Sequence, residues 1–334
     1  MKKIIAAIFC LGFLTAIPPA FAADTFTEKT ITKTFTVQPG GDLNVDTDQG
    51  DIEVVTASQN TVDITVEREL AHGGKSDLEK ALKRQKVVFS QDNNTIRLEA
   101  TTAKASHGLF SSAPPGLDVH IRVIVPRRFN ATLSTAGGDV TVSNLQGTLD
   151  ARTSGGDLTF TKIQGPVEGH TSGGNVKAFA CSDKLTLQTS GGNIVIKDYT
   201  GPSAQGDTSG GNIDVTHCEG RLQVKTSGGN INIEGFAGPS AYADTSGGSI
   251  NVGLAKEPTG DCWFSTSGGN ITARLPGDAA LTLHALTEGG AVNTSLPVTV
   301  LGKQKDGHLE GKINGGGPNL ALKTSGGNIQ LLKL

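Results

Sequence analysis

From residue 131 onward, apolar and polar positions alternate in short runs on either side of a recurrent phrase. That phrase is TAGGDV at 135, TSGGDL at 153, TSGGNV at 171, TSGGNI at 189, 208, 226, 266 and 324, TSGGSI at 245 and TEGGAV at 287. Its threonines are separated by 18, 18, 18, 19, 18, 19, 21, 21 and 37 residues. Four residues before the Thr every copy is apolar, as in Leu149, Val167, Leu185, Leu222, Cys262 and Leu320; five residues after it stands Val, Leu or Ile, as in Ile194, Ile213 and Ile231. Alternate residues share a face only in extended chain, whereas a helix needs spacings of three and four. Each copy therefore predicts two short strands around a Gly-Gly corner, each with one face turned inward. A fixed period of this kind marks a solenoid. Each strand pairs with its equivalent in the next coil at about 4.8 Å, and no coil can bury its apolar side chains without neighbours.

The same alignment carries finer expectations. Gly-Gly lets the chain turn sharply, and the Asn or Asp that follows suits a turn or a left-handed conformation. Asn175, Asn193, Asn212 and Asn230 stack into a ladder along the axis. A second corner falls at Gly147, Gly165, Gly201, Gly220 and Gly238. The last step of 37 equals 18 plus 19, which predicts a coil without its phrase near Lys303 to Gly317.

Residues 24–134 do not keep the period, although LNVDTDQGDIEVV at 43–55 reads as one further coil. Strands are predicted at 61–67, 86–90, 95–101 and 117–125, and a helix at 77–85 opened by a Ser76/Glu79 capping box. Ala103 to Gly116, rich in Ser and Pro, reads as a loop. This segment is expected to cap the open strand edge of the solenoid. At the start, Lys2 and Lys3, an apolar stretch from Ile4 to Ile17 and Ala20-Phe21-Ala22 fit a secretory leader, with an apolar run shorter than the roughly 20 residues that span a bilayer. The chain thus divides into a signal peptide at 1–22, a β-rich cap at 23–130 and a repeat domain at 131–334. The predicted fold is all-β: a single-chain β-solenoid of about 18–19-residue coils whose N-terminal cap holds one short helix. Export to the periplasm, the cell surface or beyond follows, with no transmembrane segment after cleavage.

Composition narrows this further. Gly is 45 of 334 residues, which disfavours helical bundles. Net charge is −3, and −5 without Lys2 and Lys3, which argues against nucleic acid or an anionic membrane as partner. Cys181 and Cys218 fall in one apolar column with Leu145, Ile163, Tyr199 and Phe236. Two coils separate the pair, about 9.6 Å, beyond the roughly 7 Å limit for a disulfide. Cys262 lies in another inward column, so three buried free thiols are expected.

Chemistry is sparse. GDTSGG at 206–211 looks like a serine-nucleophile loop, yet its Thr-Ser-Gly-Gly recurs in other coils without an attendant His or acid, so it reads as a corner. GGKS at 73–76 lacks the first Gly of a phosphate loop, Glu69 standing there. His72, His107, His120, His170, His217, His284 and His308 show no metal-ligand spacing. Asp139 and Asp157 share a corner in adjacent coils, but the calcium-binding nonapeptide pattern is missing, so neither metal nor cofactor is expected. One outward column holds Tyr242 and Trp263 in adjacent coils, with Asp207, Asp244 and Gln205 as polar neighbours. Such a pair makes an aromatic platform able to stack on a sugar ring, unless a loop or the segment 275–323 folds over it.

The reiterated TSGGNI coils, PGGDLNVDTDQGDIEV near the start, LDVHIRVIVP before the repeats and INGGGPNLALKTSGGNIQL at the close resemble the bacterial β-strand-repeat family labelled putative adhesin. That resemblance implies an exported β-solenoid without assigned catalytic residues. The expected function is a non-catalytic structural or adhesive solenoid presenting its surface to a cell-envelope glycan or protein, of unspecified oligomeric state. The alternative is a polysaccharide-binding or polysaccharide-processing β-helix, which as an enzyme would need clustered acids in one patch. Outward positions such as Arg152, His170, Gln188, Asp207, Lys225 and Asp244 are mixed instead.

Overall fold

A computed structural model describes residues 28–70, 73–103, 116–301 and 306–334. The leader and nearly all of the Ala103 to Gly116 loop fall outside the described residues, as do His72 and His107.

Val, Ile, Leu and Thr at alternate positions favour half-buried extended chain, and every repeat forms two strands. In the coil of Thr208, Ser203–Asp207 leads into the corner and Ile213–Cys218 leaves it. Incoming strands stack in a sheet of 15 and outgoing strands in a sheet of 14, counted among the described residues. Within the repeats all pairing is parallel, and in register apart from one shift in the Thr245 coil: Ile194, Ile213 and Ile231 lie on successive strands and are fully buried. One core cluster runs the length of the two sheets. The protein is an all-β solenoid, with a single helix among the described residues, Lys75–Arg84.

The TSGG phrase acts between coils. Each Thr is buried, and its Oγ1 donates to the carbonyl of the second Gly in the preceding coil, as Thr208 to Gly192 and Thr226 to Gly211, both at 2.8 Å. The same oxygen accepts from the second Gly N–H of its own corner, 3.3 Å for both Gly211 and Gly229. None of these second glycines from 138 to 327 has a positive φ. What excludes a side chain is proximity: a Cβ on Gly211 would overlap the Gly192 carbonyl, whereas one on Gly210 would meet the Gly191 oxygen at 3.5 Å. The next residue is not left-handed either, contrary to the sequence expectation. Its side-chain oxygen accepts from the backbone of the next coil: Asn193 N to Asn175 Oδ1 at 2.9 Å, Asn212 N to Asn193 Oδ1 at 2.7 Å, Asn230 N to Asn212 Oδ1 at 2.8 Å. The asparagine ladder is thus a side-chain-to-backbone ladder, and it runs from Asp51 to Ala291.

Left-handed backbone occurs nine residues after the Thr instead, at Asn144, Lys162, Ala180, Asp198, His217 and Gly235. The coil of Thr245 drops this residue, so the register shifts and Leu254 fills the inward place beside Phe236. The longer return at 255–261 accounts for its 21-residue length.

Both ends depart from chain order. The Gly41–Thr47 and Asp51–Ala57 coil sits between the first TAGG coil and an outer coil made by Thr95–Thr102 and Leu117–Pro126. Gln85–Asp92 and Thr61–Leu70 pair antiparallel on that outer coil, and Thr30–Thr36 follows. At the other end, Asn319–Thr324 and Ile329–Lys333 slip between the Thr266 and Thr287 coils. Thr324 donates to Gly269 and Thr287 to Gly327, which fixes this order. The coil predicted near Lys303 to Gly317 is therefore not formed by the described residues: His308–Ile313 lies antiparallel on Leu281–Thr287 as a cap, with Val298–Val300 beyond. Antiparallel strands end both sheets at the amino-terminal side and the 15-stranded sheet at the other, covering edges that would otherwise recruit further chains, while Val292–Thr294, paired in parallel, is the outermost described strand of the 14-stranded sheet.

The helix also begins differently. Gly74 is its cap, with its N–H donating to Asp77 Oδ2 at 3.2 Å, rather than Ser76 with Glu79. Asp77 is the carboxylate three residues after the cap, so the capping logic holds two residues earlier in the chain. The three cysteines are buried and unpaired, with Tyr199 on the strand next to Cys218 in the shared column. Burial pushes all three thiols up, Cys218 and Cys262 to about 11.

This packing can be tested at the corners and at the thiols. Gly211→Ala lowers the denaturation midpoint by the equivalent of about 1–3 kcal/mol, while Gly210→Ala leaves it nearly unchanged; equal effects would refute the close-approach explanation. In a chain beginning at Ala23, iodoacetamide at pH 8 modifies none of the three cysteines until denaturant is added, as counted by mass, because so little thiolate exists below a raised pKa. Rapid alkylation of the folded protein would contradict their burial.

Candidate functional site

Outward positions on the 15-stranded sheet form rows that run along the solenoid axis, one residue per strand. In the row three residues before the Thr, Tyr242 lies between Gln223 and Trp263 in register. Trp263 is 46% exposed, the highest exposure of any aromatic residue described, and Tyr242 is half-buried. Strand spacing sets the backbones that carry the two rings about 4.8 Å apart. The Lys225 ammonium lies 5.3 Å from the Tyr242 ring centroid, within cation–π range.

Of the polar residues singled out in the sequence, Asp244 stays beside this pair, between Lys225 and Ser265 on neighbouring strands. Gln205 and Asp207 do not. They bond to each other, Gln205 Nε2 to Asp207 Oδ2 at 2.7 Å, two strands away from Tyr242. Segment 275–323 contributes a strand next to Trp263 rather than a cover over it, with Ala321 as the in-register neighbour.

Beyond Ala321 the row continues through His284 to Glu310. His284 Nδ1 is 3.5 Å and His308 Nε2 3.1 Å from Glu310 Oε1. Hydrogen bonds from His308 and then His284 hold the Glu310 carboxyl below its usual value. This trio escapes a reading of the sequence because His284 lies 24 residues from His308, and only the antiparallel cap brings them together. The one local signal is His308-x-Glu310, which shares a face in a strand.

Several other charged groups have structural partners. Arg152 bridges Asp150 Oδ1 and Glu168 Oε1, each at 3.0 Å. Asp139 Oδ1 accepts from Asp157 N and Asp157 Oδ1 from Asn175 N, both at 2.7 Å, so these carboxylates serve the ladder. Partial burial pushes the Asp157 carboxyl up, but hydrogen bonds from Asn175 and Lys177 outweigh it and hold the group below its usual value. Among the described residues no group of three or more His, Cys, Asp and Glu is arranged to hold a metal ion. No described helix is long and apolar enough to cross a membrane.

Fold and face together define a capped parallel β-solenoid carrying an outward aromatic pair, of which Trp263 is exposed. Residues 170–332 match the model of the Toastrack DUF4097 family, a domain of unknown function, in keeping with the adhesin-type repeat that the TSGG phrases resemble. No curated protein matches the chain. Among solved structures, a putative adhesin from Parabacteroides distasonis ATCC 8503 is 15% identical with a TM-score of 0.43, covering 91% of this chain and 97% of that one. A putative adhesin from Parabacteroides merdae ATCC 43184 is 14% identical with a TM-score of 0.38, covering 91% and 96%. A putative lipid binding protein from Parabacteroides distasonis ATCC 8503 is 14% identical with a TM-score of 0.39, covering 90% and 96%.

Trp263 is the only tryptophan in the chain, so its fluorescence reports on this face alone. The folded protein is expected to emit near the wavelength of the denatured chain and to be quenched readily by acrylamide. A blue-shifted, quench-resistant emission would show that the ring is covered.

Proposed function

We propose that the protein is an exported, non-catalytic adhesive solenoid that holds a cell-envelope or extracellular glycan against Tyr242 and Trp263. The observation that carries this reading is the outward aromatic pair, an exposed Trp263 beside a half-buried Tyr242, on adjacent strands of a regular sheet. A sugar ring offers an apolar C–H face and a hydroxyl rim. The first stacks on an aromatic ring, and the second needs charged or amide groups of the kind that Asp244, Gln223 and Ser265 supply nearby. Export rests on the leader read from Met1 to Ala22, and the supply of a rigid face rests on the two hydrogen-bond ladders along the stack.

The experiment is a glycan array followed by titration of Trp263 emission with cellotetraose and chitotetraose. Binding shifts the emission to the blue, and the Tyr242→Ala/Trp263→Ala double variant, assayed on the array with its circular dichroism unchanged, loses binding by roughly tenfold or more. Unchanged binding by that variant, or no retention of any glycan by the unaltered protein, would overturn the proposal. Release of new reducing ends from a bound glycan would overturn its non-catalytic part.

A further inference from the structure

We infer that the bound glycan lies along the solenoid axis, across the strands, and that its far end is read by Glu310 with His284 and His308 of the C-terminal cap. This rests on the glycan reading above and adds the extent and polarity of the site. Five strands carry it in spatial order: Ala241–Thr245, Cys262–Thr266, Asn319–Thr324, Leu281–Thr287 and His308–Ile313. Their registers place Tyr242, Trp263, Ala321, His284 and Glu310 in a single row on the outer face.

The row has a shape that fits a linear oligosaccharide. Two aromatic rings form a raised floor, Ala321 makes a low step about 4.8 Å further on, and His284 and Glu310 close the far end. Trp263, the His284 side chain and the Glu310 side chain are 46%, 46% and 44% exposed, so the row is open from above. Both imidazoles converge on Glu310 Oε1. With both contacts on Oε1, Oε2 is the oxygen assigned to accept a sugar hydroxyl. Ser265 and Lys323 flank the row on the side of the Thr column and offer donors to the same rim.

Chain order alone would not build this step. Were the coils stacked as they occur in the sequence, His284 would lie directly beside Trp263 and no low point would separate them. Insertion of Asn319–Thr324 supplies Ala321, and the Thr324-to-Gly269 and Thr287-to-Gly327 hydrogen bonds hold it in place. With one ring on Trp263 and the next over Ala321, a third sugar is the first to reach His284 and Glu310. The site therefore discriminates by length, favouring three or more units over two.

The test is calorimetric titration of the chain from Ala23 to Leu334 with cello- and chito-oligosaccharides of two to four units. The unaltered protein is expected to bind the trimer roughly tenfold more tightly than the dimer, the worth of a hydrogen bond to a charged group. Glu310→Gln, close in shape, is expected to erase that gain while leaving dimer binding unchanged. Ala321→Leu, which fills the step, is expected to erase it too, and Trp263→Ala to weaken every length. If Glu310→Gln and Ala321→Leu both keep the trimer gain while Trp263→Ala loses binding, the extension is overturned and the aromatic site stands. If the unaltered protein binds no member of either series, or Trp263→Ala changes nothing, both fail.

Discussion

The distance between neighbouring coils governs this molecule. Parallel strands pair at about 4.8 Å, and at each TSGG corner the backbone of one coil lies so close over the last that the second Gly has no room for a Cβ. The buried Thr joins the same two coils by accepting from its own corner and donating to the one before. A hydroxyl satisfied in both directions avoids the penalty of a buried polar group. Conformational freedom of glycine is secondary here, since these corner residues keep ordinary negative or extended φ.

Much of this is legible in the sequence because the coil is nearly one-dimensional: residues such as Ile194, Ile213 and Ile231 see only their equivalents above and below. Periodicity therefore reveals the strands, the inward columns and the separation of Cys181 from Cys218 by the strand holding Tyr199. It cannot reveal the order of coils at the ends, because any TSGG corner can hydrogen-bond to any other. Asn319–Thr324 carries the same pattern whether it follows the last coil or enters between two earlier ones. The helix cap is misplaced by sequence because Ser76 with Glu79 and Gly74 with Asp77 are both valid spacings, and the fold uses the second.

The candidate site divides along the same line. Tyr242 and Trp263 stand out in the sequence because large aromatic side chains in an outward column break a polar pattern. Gln205 and Asp207 group with them by column alone, although a further strand separates them from Tyr242 and each satisfies the other. His284, Glu310 and His308 belong to an antiparallel cap, whose register no repeat period encodes. Sites at the ends of solenoids are hidden from period-based reading for this reason, while sites on the regular faces are open to it.

Insertion of the Ile329–Lys333 coil into an interior position has a bearing on how the chain is made. A ribosome or an export channel delivers residues in order, so the coil of Leu281–Thr287, which His308–Ile313 already covers on its outer side, meets its inner neighbour only when Asn319–Lys333 has arrived. The stack can grow from the amino end during delivery, yet its far end stays open until this segment wedges in. Closure of the stack is thereby tied to delivery of Asn319–Lys333, without which the strands of the Thr266 coil lack their native partners.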